Sequence, residues 1–169
     1  MITKALLDCI LSQYALPVNG THGLSHWARV LTHGRKLAET VPGSLAVVEL
    51  FAVLHDSKRV NENVDHQHGL RGAKFAAKLR GKYFKLDDAQ FDLLYTACAH
   101  HTDGHTIADP VVQICWDSDR LDLNRVGIKP DILQLCSDAA KQDEILRKAN
   151  LLSQNRVFPE DILAEWGFK

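Results

Sequence analysis

The sequence predicts an all-α protein of about seven to nine helices. Three observations favour this fold class: apolar residues recur at helical spacing, no segment alternates apolar and polar residues as a strand would, and Pro, Gly and Asn separate the apolar stretches. The chain has 169 residues and 46% hydrophobic content, enough for one domain with a buried core. We therefore expect one compact helical bundle over residues 1–169.

Breaker residues bound the first three helices, which are expected over about 2–15, 25–40 and 45–55. Pro17 and the turn signal Asn19-Gly20 end the first helix, and Pro42-Gly43 ends the second. Ser44 is a suitable N-cap for the third. That helix is apolar on nearly every side, with Glu49 its only charged residue, which predicts a central position.

The later helices are expected over about 67–80, 88–101, 110–123, from 131 onward, 139–153 and 159–166. Asp87 or Asp88 caps one of them, and Pro110 and Pro130 suit the first turns of two others. The helices within 130–166 are expected to pack on the preceding part of the same domain. Residues 56–66 and 102–109 are predicted loops.

Composition excludes several classes of protein. The formal net charge of -1 gives no overall positive field, so there is no strong signal for nucleic-acid binding. No apolar run approaches the ~20 residues of a membrane span. The first apolar run is interrupted by Lys4 and Asp8, unlike a signal peptide. The four cysteines form no CxxC pair, which favours reduced thiols in a cytoplasmic protein.

Histidine and aspartate side chains occur at the predicted helix ends, within the segments HWARV, LHDSKR, HGLRG, AHHTDG and WDSDRLD. Neutral imidazole and ionised carboxylate are both good ligands for borderline divalent metals. Several of these groups, brought from separate helices, could build a metal site. The adjacent pair His55 and Asp56, taken alone, is better explained by a hydrogen bond that closes a helix end than by a metal site.

The order of these segments resembles that of the HD-domain superfamily of metal-dependent phosphohydrolases. The resemblance covers residues 20–125, where LFAVLHDSKR is similar to the helix that leads into the His-Asp pair of that family. It implies an all-helical bundle with a core metal site formed by His26, His55, Asp56 and Asp117. It also implies that a second ion would be held by His68, His100 and His101, with Asp56 bridging the two.

Two details limit what the resemblance implies. His100 and His101 lie about 100° apart on a helix, so which of them is a ligand stays open. The segment AHHTDGHTIADP lacks the Gly-Tyr-Pro triplet of the cyclic-dinucleotide branch, which counts against cyclic-dinucleotide hydrolysis. The ligand set suits one or two divalent transition-metal ions, whether Fe, Mn, Co, Ni or Zn.

The function implied is hydrolysis of a phosphate ester of a small molecule, for example a nucleotide, by metal-activated water. The catalytic group would comprise Asp56 and three adjacent cations that contact the substrate phosphate: Lys58, Arg59 and Arg120. Three further cations on one helix face, Arg71, Lys74 and Lys78, are more typical of a solvated surface. Substrate specificity is expected in the loops 57–67 and 102–109.

Two other functions remain open from the sequence. Some proteins of this fold use an iron pair to oxidise carbon–hydrogen bonds, and the His/Asp set could hold such a pair, so oxygen consumption would separate an oxygenase from a hydrolase. A non-catalytic sensor of phosphorylated ligands would bind nucleotide without turnover. The number of candidate ligands favours an enzyme. The sequence does not determine the oligomeric state, the metal or the substrate.

Overall fold

A computed structural model describes residues 1–168 of the chain. Within that part, eight α-helices follow one another: α1 Lys4–Leu11, α2 Leu24–Ala38, α3 Leu45–Leu54, α4 His68–Leu79, α5 Asp88–His100, α6 Pro110–Arg120, α7 Asp143–Gln154 and α8 Glu160–Glu165. Two short 3-10 helices, Leu123–Val126 and Ile132–Gln134, separate α6 from α7. The only extended pairing in residues 1–168 is one bridge between Arg80 and Phe84. The predicted all-α class is confirmed.

Helix α3 forms the centre of the bundle, as its uniformly apolar sequence predicts. Every residue from Val47 to Leu54 is buried, and the helix packs against α1, α2, α4, α5 and α6. Burial on all sides removes apolar surface from water along the whole helix, the dominant favourable contribution to folding. The C-terminal end of α3 therefore delivers His55 and Asp56 into the interior.

Several helix starts follow from local capping chemistry. The Asp87 carboxylate accepts a hydrogen bond from the Gln90 backbone N–H, and the Gln90 side chain accepts one from the Asp87 N–H, which forms a capping box. Asp109 caps α6 and Pro110 occupies its first turn. Ser44 occupies the N-cap position of α3, but its hydroxyl donates to the Val41 carbonyl instead of accepting from the helix.

The helix predicted to begin near Pro130 is reduced to the 3-10 turn Ile132–Gln134. A continuing helix would need the backbone N–H groups of Cys136 and Ser137 to bond to carbonyl groups one turn earlier. Both N–H groups instead donate to the carboxylate of Asp117, at 2.7 and 2.8 Å. A side-chain acceptor therefore competes with helix formation, and the chain stays irregular until α7.

Two glycines allow α4 to approach its neighbours closely. A Cβ atom placed on Gly72 would lie 2.6 Å from the Leu54 carbonyl oxygen and 2.9 Å from that of His55. A Cβ atom on Gly69 would collide with the Cys98 carbonyl and with the ring of His101, 2.9 Å from its Nδ1. Glycine is thus required at both positions for α4 to contact the ends of α3 and α5.

Helices α7 and α8 both pack against α2, and α7 also contacts the first 3-10 helix. All four cysteines are free; Cys98 and Cys115 are buried, whereas Cys9 and Cys136 are partly exposed. Across residues 1–168, no helix combines the length and the apolar character needed to cross a membrane.

Candidate metal centre

Four histidines from four different helices converge in the interior. His26 lies in the first turn of α2, His55 caps the end of α3, His68 begins α4 and His101 caps the end of α5. His26 and His55 are completely buried, and the other two are nearly so. The positions at helix ends explain the convergence, because the ends of α3, α4 and α5 meet where the two glycines permit close contact.

The Nδ1 atom of each of the four rings is held by an acceptor. The partners are the Asp122 carboxylate for His26 at 2.7 Å, and the backbone carbonyls of Phe51 for His55 at 3.0 Å, Asp65 for His68 at 2.6 Å and Cys98 for His101 at 2.8 Å. An Nδ1 atom that faces an acceptor carries the proton, so in a neutral ring the Nε2 atom presents a lone pair. All four lone pairs point into the cluster.

The Nε2 atoms approach one another in two pairs. The distance between the Nε2 atoms of His26 and His55 is 3.1 Å, and that between His68 and His101 is 2.8 Å. Two neutral rings with both lone pairs at such distances have no hydrogen atom to share and repel each other, as at His26 and His55. At the other pair, Nε2 of His68 also faces the Arg59 guanidinium at 3.1 Å. A cation between the nitrogens would remove the repulsion, and this donor set therefore fits a bound metal.

Two carboxylates complete the cluster. Asp119 lies on α6, and its Oδ1 atom is buried without a hydrogen-bond partner, 3.4 Å from Nε2 of His26 and 3.8 Å from Nε2 of His55. The Arg125 guanidinium lies 3.9 Å from the same oxygen, within ion-pair range but too far for a hydrogen bond. A bound cation would supply the missing partner of this buried oxygen. Asp56 stands between the two histidine pairs: Oδ2 lies 3.6 Å from Nε2 of His26, and Oδ1 lies 3.1 Å from Nε2 of His68.

The electrostatics favour the protonation states that metal binding needs at His26, His55 and Asp56; at His101, burial is outweighed by the adjacent Asp56 carboxylate, which raises the pKa of that ring. Burial lowers the pKa of His26 well below its usual value and that of His55 to about 4, so both rings are neutral near pH 7. Burial opposes ionisation of Asp56, but the surrounding histidines outweigh it and hold the pKa of that carboxyl well below its usual range. Neutral imidazoles and ionised carboxylates are the forms that act as ligands.

Asp122 fixes the orientation of His26. Its carboxylate accepts from Nδ1 of His26 and also from the Arg29 guanidinium, whose Nε lies 2.7 Å from Oδ1. Arg29 and Asp122 are both fully buried, so their charges compensate each other inside the protein. A histidine that donates one ring N–H to a carboxylate is a common arrangement behind metal ligands.

The structure replaces Asp117 with Asp119 in the candidate ligand set. The carboxylate of Asp117 is turned away from the histidines and accepts three hydrogen bonds, from the backbone N–H of Cys136 and from the backbone and hydroxyl of Ser137. Its acceptor sites are thus occupied by the segment that follows the second 3-10 helix. Two residues along a helix correspond to about 200° of rotation, so Asp117 and Asp119 face opposite directions.

His100 is also outside the cluster, and this resolves the choice between the adjacent histidines. Its ring is half-exposed, and its Nδ1 atom lies 2.7 Å from the Asp103 carboxylate. His101 is buried and lies next to His68 and Asp56. Because α5 ends at these residues, only one of two neighbouring side chains can point toward α3 and α4.

The three predicted substrate-binding cations lie in different places. Arg59 reaches the cluster: one Nη atom lies 3.5 Å from Asp56 and 3.1 Å from Nε2 of His68. Arg120 lines a cleft beside Asp119, but its guanidinium already donates to the carbonyls of Gln134 and His105. Lys58 does not contact the cluster; its ammonium group donates instead to Gln13, at the end of α1.

Two clefts reach the cluster from outside. One has a volume of about 310 Å³ and includes Arg59, Val64 and His68 in its lining, and the other has about 280 Å³ and includes His101, Asp119 and Arg120. Thr102 contributes to both. Their walls come largely from the loops after α3 and α5, which are the segments expected to set substrate specificity.

The spacing of the aspartates in the sequence carries a signal for Asp119 and Asp122, which the ligand set implied by the resemblance does not include. Asp119 and Asp122 are three residues apart in WDSDRLD, so they share a face of the chain around the end of α6, whereas Asp117 does not share it. Asp119 approaches His26 and His55, and Asp122 holds His26 from behind. The sequence thus shows that Asp119 and Asp122 share a face, and the structure shows that this face is turned toward the histidines.

Comparisons with known proteins find no match to a family model, a curated protein or a solved structure. Membership of the HD-domain superfamily therefore stays a prediction from the sequence motifs. What the chain itself provides is a buried group of histidines and aspartates that could hold a metal ion: His26, His55 and Asp119 on one side, and His55, Asp56 and His101 on the other.

Proposed function

We propose that this protein is a metal-dependent phosphohydrolase that cleaves a phosphate ester of a small molecule. The observation that carries the proposal is the convergence of four histidine Nε2 lone pairs and two carboxylates, with Asp56 between two histidine pairs. All but one of these six residues belong to the set that the motif resemblance names. A cluster of this composition suits borderline divalent metals.

The residues divide into two candidate ligand groups. His26, His55 and Asp119 would hold one ion, and His68 and His101 would hold a second, with one oxygen of Asp56 directed to each group. Divalent ions supply two kinds of chemistry to phosphate hydrolysis, since they lower the pKa of bound water and polarise the phosphoryl oxygen.

The chain's own residues orient the ligands and the substrate. Asp122 and Arg29 hold His26 in one tautomer and one ring orientation, which makes them positioning residues. Arg59 lies in the cleft beside Asp56 and would orient a phosphate group by hydrogen bonds to its oxygens. Arg120 adds positive charge on the opposite side, next to Asp119.

The size of the two clefts supports a small substrate. Each is about 300 Å³, at the lower end of the volumes of typical small-molecule sites. Both lie over a cluster that is almost entirely removed from water. An electrostatic interaction in such a place is stronger than the same interaction at an open surface, because the effective dielectric constant is lower.

The test combines metal content with turnover. Elemental analysis of protein purified without chelator is expected to find about two transition-metal ions per chain in the wild type and fewer in Asp56→Ala. A panel of phosphomonoesters and phosphodiesters, with Mn, Fe, Co, Ni or Zn added in turn, is then expected to show phosphate release that Asp56→Ala abolishes. Asp138→Ala, which removes an exposed carboxylate, is the matched control and should keep both properties.

Each other outcome changes the conclusion in a defined way. Consumption of oxygen by the iron-loaded protein, without phosphate release, would replace the hydrolase with an oxygenase. Bound metal and tight nucleotide binding without turnover of any ester would indicate a sensor. Failure to bind any metal after reconstitution would overturn the proposal, and His55 and Asp56 would then serve only to close the end of α3.

A further inference from the structure

A second group of charged side chains lies outside the candidate metal centre. A cleft of about 430 Å³ separates the end of α1 and the segment after α3 from the outer face of α4. Its lining contains five cations, Lys58, Arg59, Arg71, Lys74 and Lys78, and no carboxylate. We refer to it as the basic cleft. We propose that the basic cleft is a binding site for the phosphate groups of a small molecule, separate from the metal centre.

The positive charge of the basic cleft is not balanced locally. Arg71 pairs with Asp65, and Arg59 lies 3.5 Å from Asp56. Lys58, Lys74 and Lys78 have no carboxylate within ion-pair distance anywhere in residues 1–168. The formal net charge of the whole chain is only -1, so this concentration of cations is a local property of one face.

Lysines on other helices of the protein behave differently. Lys4 pairs with Asp8, Lys36 with Glu39 and Lys148 with Glu144, each with an acid on or beside its own helix. Such pairs are typical of a solvated helix face. The lysines of α4 lack them, which is why the structure no longer favours the interpretation of Lys74 and Lys78 as ordinary solvated residues.

Lys58 is held in place at the wall of the basic cleft. Its ammonium group lies 3.2 Å from the Gln13 side-chain oxygen and 4.0 Å from the centre of the Phe75 ring. Burial lowers the pKa of Lys58, and repulsion from the nearby Lys78 ammonium group lowers it further. An anion placed between them would relieve this repulsion and would find a donor that is already ordered.

The shape and chemistry of the basic cleft favour a compact phosphate-bearing ligand. Ammonium groups bind phosphate as point charges, and three of them without partners match a ligand with several negative charges, such as a pyrophosphate group. The volume is that of a small-molecule site. Ala15, Val60 and Phe75 provide an apolar wall for the uncharged part of such a ligand.

The basic cleft and the metal centre share one side chain. Arg59 lines the basic cleft and also the cleft that reaches His68. The inference does not depend on phosphohydrolase activity, because the unpaired ammonium groups belong to Lys58, Lys74 and Lys78, which do not contact the metal centre. Binding at the basic cleft is therefore tested in the absence of metal.

The probe is inorganic pyrophosphate, titrated into the metal-free full chain while backbone amide signals are followed by NMR. Metal removal is checked by elemental analysis, and the chelator is then dialysed away because it is itself an anion. We expect shifts of the amide signals of residues 58–60 and 71–78. In Lys74→Gln/Lys78→Gln the dissociation constant should rise by at least about tenfold, since two charge-assisted contacts are lost. Both lysines are exposed, so the fold should be retained.

The matched control is Lys82→Gln/Lys85→Gln, which removes the same charge from two exposed lysines that do not line the basic cleft. Its dissociation constant should stay within about twofold of that of the wild type. Equal weakening in both double variants would overturn the inference, as would shifts elsewhere in the chain or no saturation below about 10 mM. Tighter binding of a single-stranded oligonucleotide, with shifts that extend beyond the basic cleft, would replace it with a nucleic-acid surface.

Discussion

The two faces of α6 carry aspartates that are both buried but differently partnered. On one face, both oxygens of Asp117 are occupied by three hydrogen bonds from Cys136 and Ser137. On the other face, one oxygen of Asp119 is buried without a hydrogen-bond partner and points toward His26 and His55. The two residues are separated by a single serine.

The difference teaches how a structural carboxylate can be distinguished from a candidate ligand. A carboxylate whose two oxygens both accept hydrogen bonds from a neighbouring segment is held toward that segment and stabilises the fold. A carboxylate left unpaired in the interior costs free energy unless a cation is present. Burial alone does not separate the two roles; the hydrogen-bond partners do.

The largest effect is expected for Asp119→Asn. The substitution keeps the shape of the side chain but removes the charge that faces His26 and His55, so metal affinity at that side should fall by more than about hundredfold. In the metal-free chain the substitution removes a buried charge that makes no hydrogen bond at Oδ1 but lies 3.9 Å from the Arg125 guanidinium, so the free energy of unfolding should change by less than about 1 kcal/mol. Elemental analysis measures the metal content, and urea unfolding of the metal-free protein measures the stability. A variant that keeps its full metal content would show that Asp119 is not a ligand.

Asp117→Asn should instead lower the stability of the protein and leave metal binding unchanged. An amide offers one acceptor oxygen in place of two, and its NH₂ group would face backbone N–H donors. The free energy of unfolding should therefore fall by about 2–4 kcal/mol, since charge-assisted hydrogen bonds are lost. Metal content of the folded fraction should be unchanged. Urea unfolding of metal-free protein measures the first quantity, and loss of metal without loss of stability would reverse the roles assigned to the two aspartates.

His33 sharpens the comparison, because it too has a buried atom without a partner, Nε2, yet no other candidate ligand surrounds it. Burial lowers its pKa to about 4 from an ordinary value of 6.5. Between these pH values the unfolded chain takes up a proton that the folded chain does not, so stability present above pH 6.5 is lost as the pH falls toward 4. The loss from this group is about 3 kcal/mol.

His33→Gln removes this titration. In metal-free protein, the difference in unfolding free energy between wild type and variant should shift by about 3 kcal/mol in favour of the variant as the pH falls from 7 to 4. Urea unfolding at several pH values gives the two curves. Parallel curves would mean that the ring of His33 is reached by solvent or by a proton donor in the folded state.

The smallest effect is expected at the end of α5. His100→Ala removes a half-exposed ring paired with Asp103, so stability should change by less than about 1 kcal/mol and metal content should not change. His101→Ala removes the ring next to His68 and should lower metal content. Elemental analysis of the two variants side by side checks the distinction. Loss of metal in His100→Ala alone would exchange the roles of the two histidines.

Much of the fold was predictable because its signals are local. Pro110 after Asp109, the capping sequence at Asp87 and the breakers around Pro42 act within a turn of the chain, and the helices begin or end within a few residues of them. The helix expected near Pro130 does not form beyond a short 3-10 turn, because the backbone N–H groups of Cys136 and Ser137 donate to Asp117, a residue about 20 positions away. Sequence patterns do not record a distant competitor of this kind.

The sequence by itself determined the all-α class, the central position of α3, and the placement of histidines and aspartates at helix ends, because periodicity and capping are properties of neighbouring residues. Only the tertiary structure decided between Asp117 and Asp119, between His100 and His101, and whether Lys58 faces the metal centre or the basic cleft. For the aspartates and the histidines, two candidates with similar chemistry lie within two residues of each other, and the one that points inward depends on which helix packs against that face. For Lys58, the direction of the side chain depends on its contacts with Gln13 and Phe75.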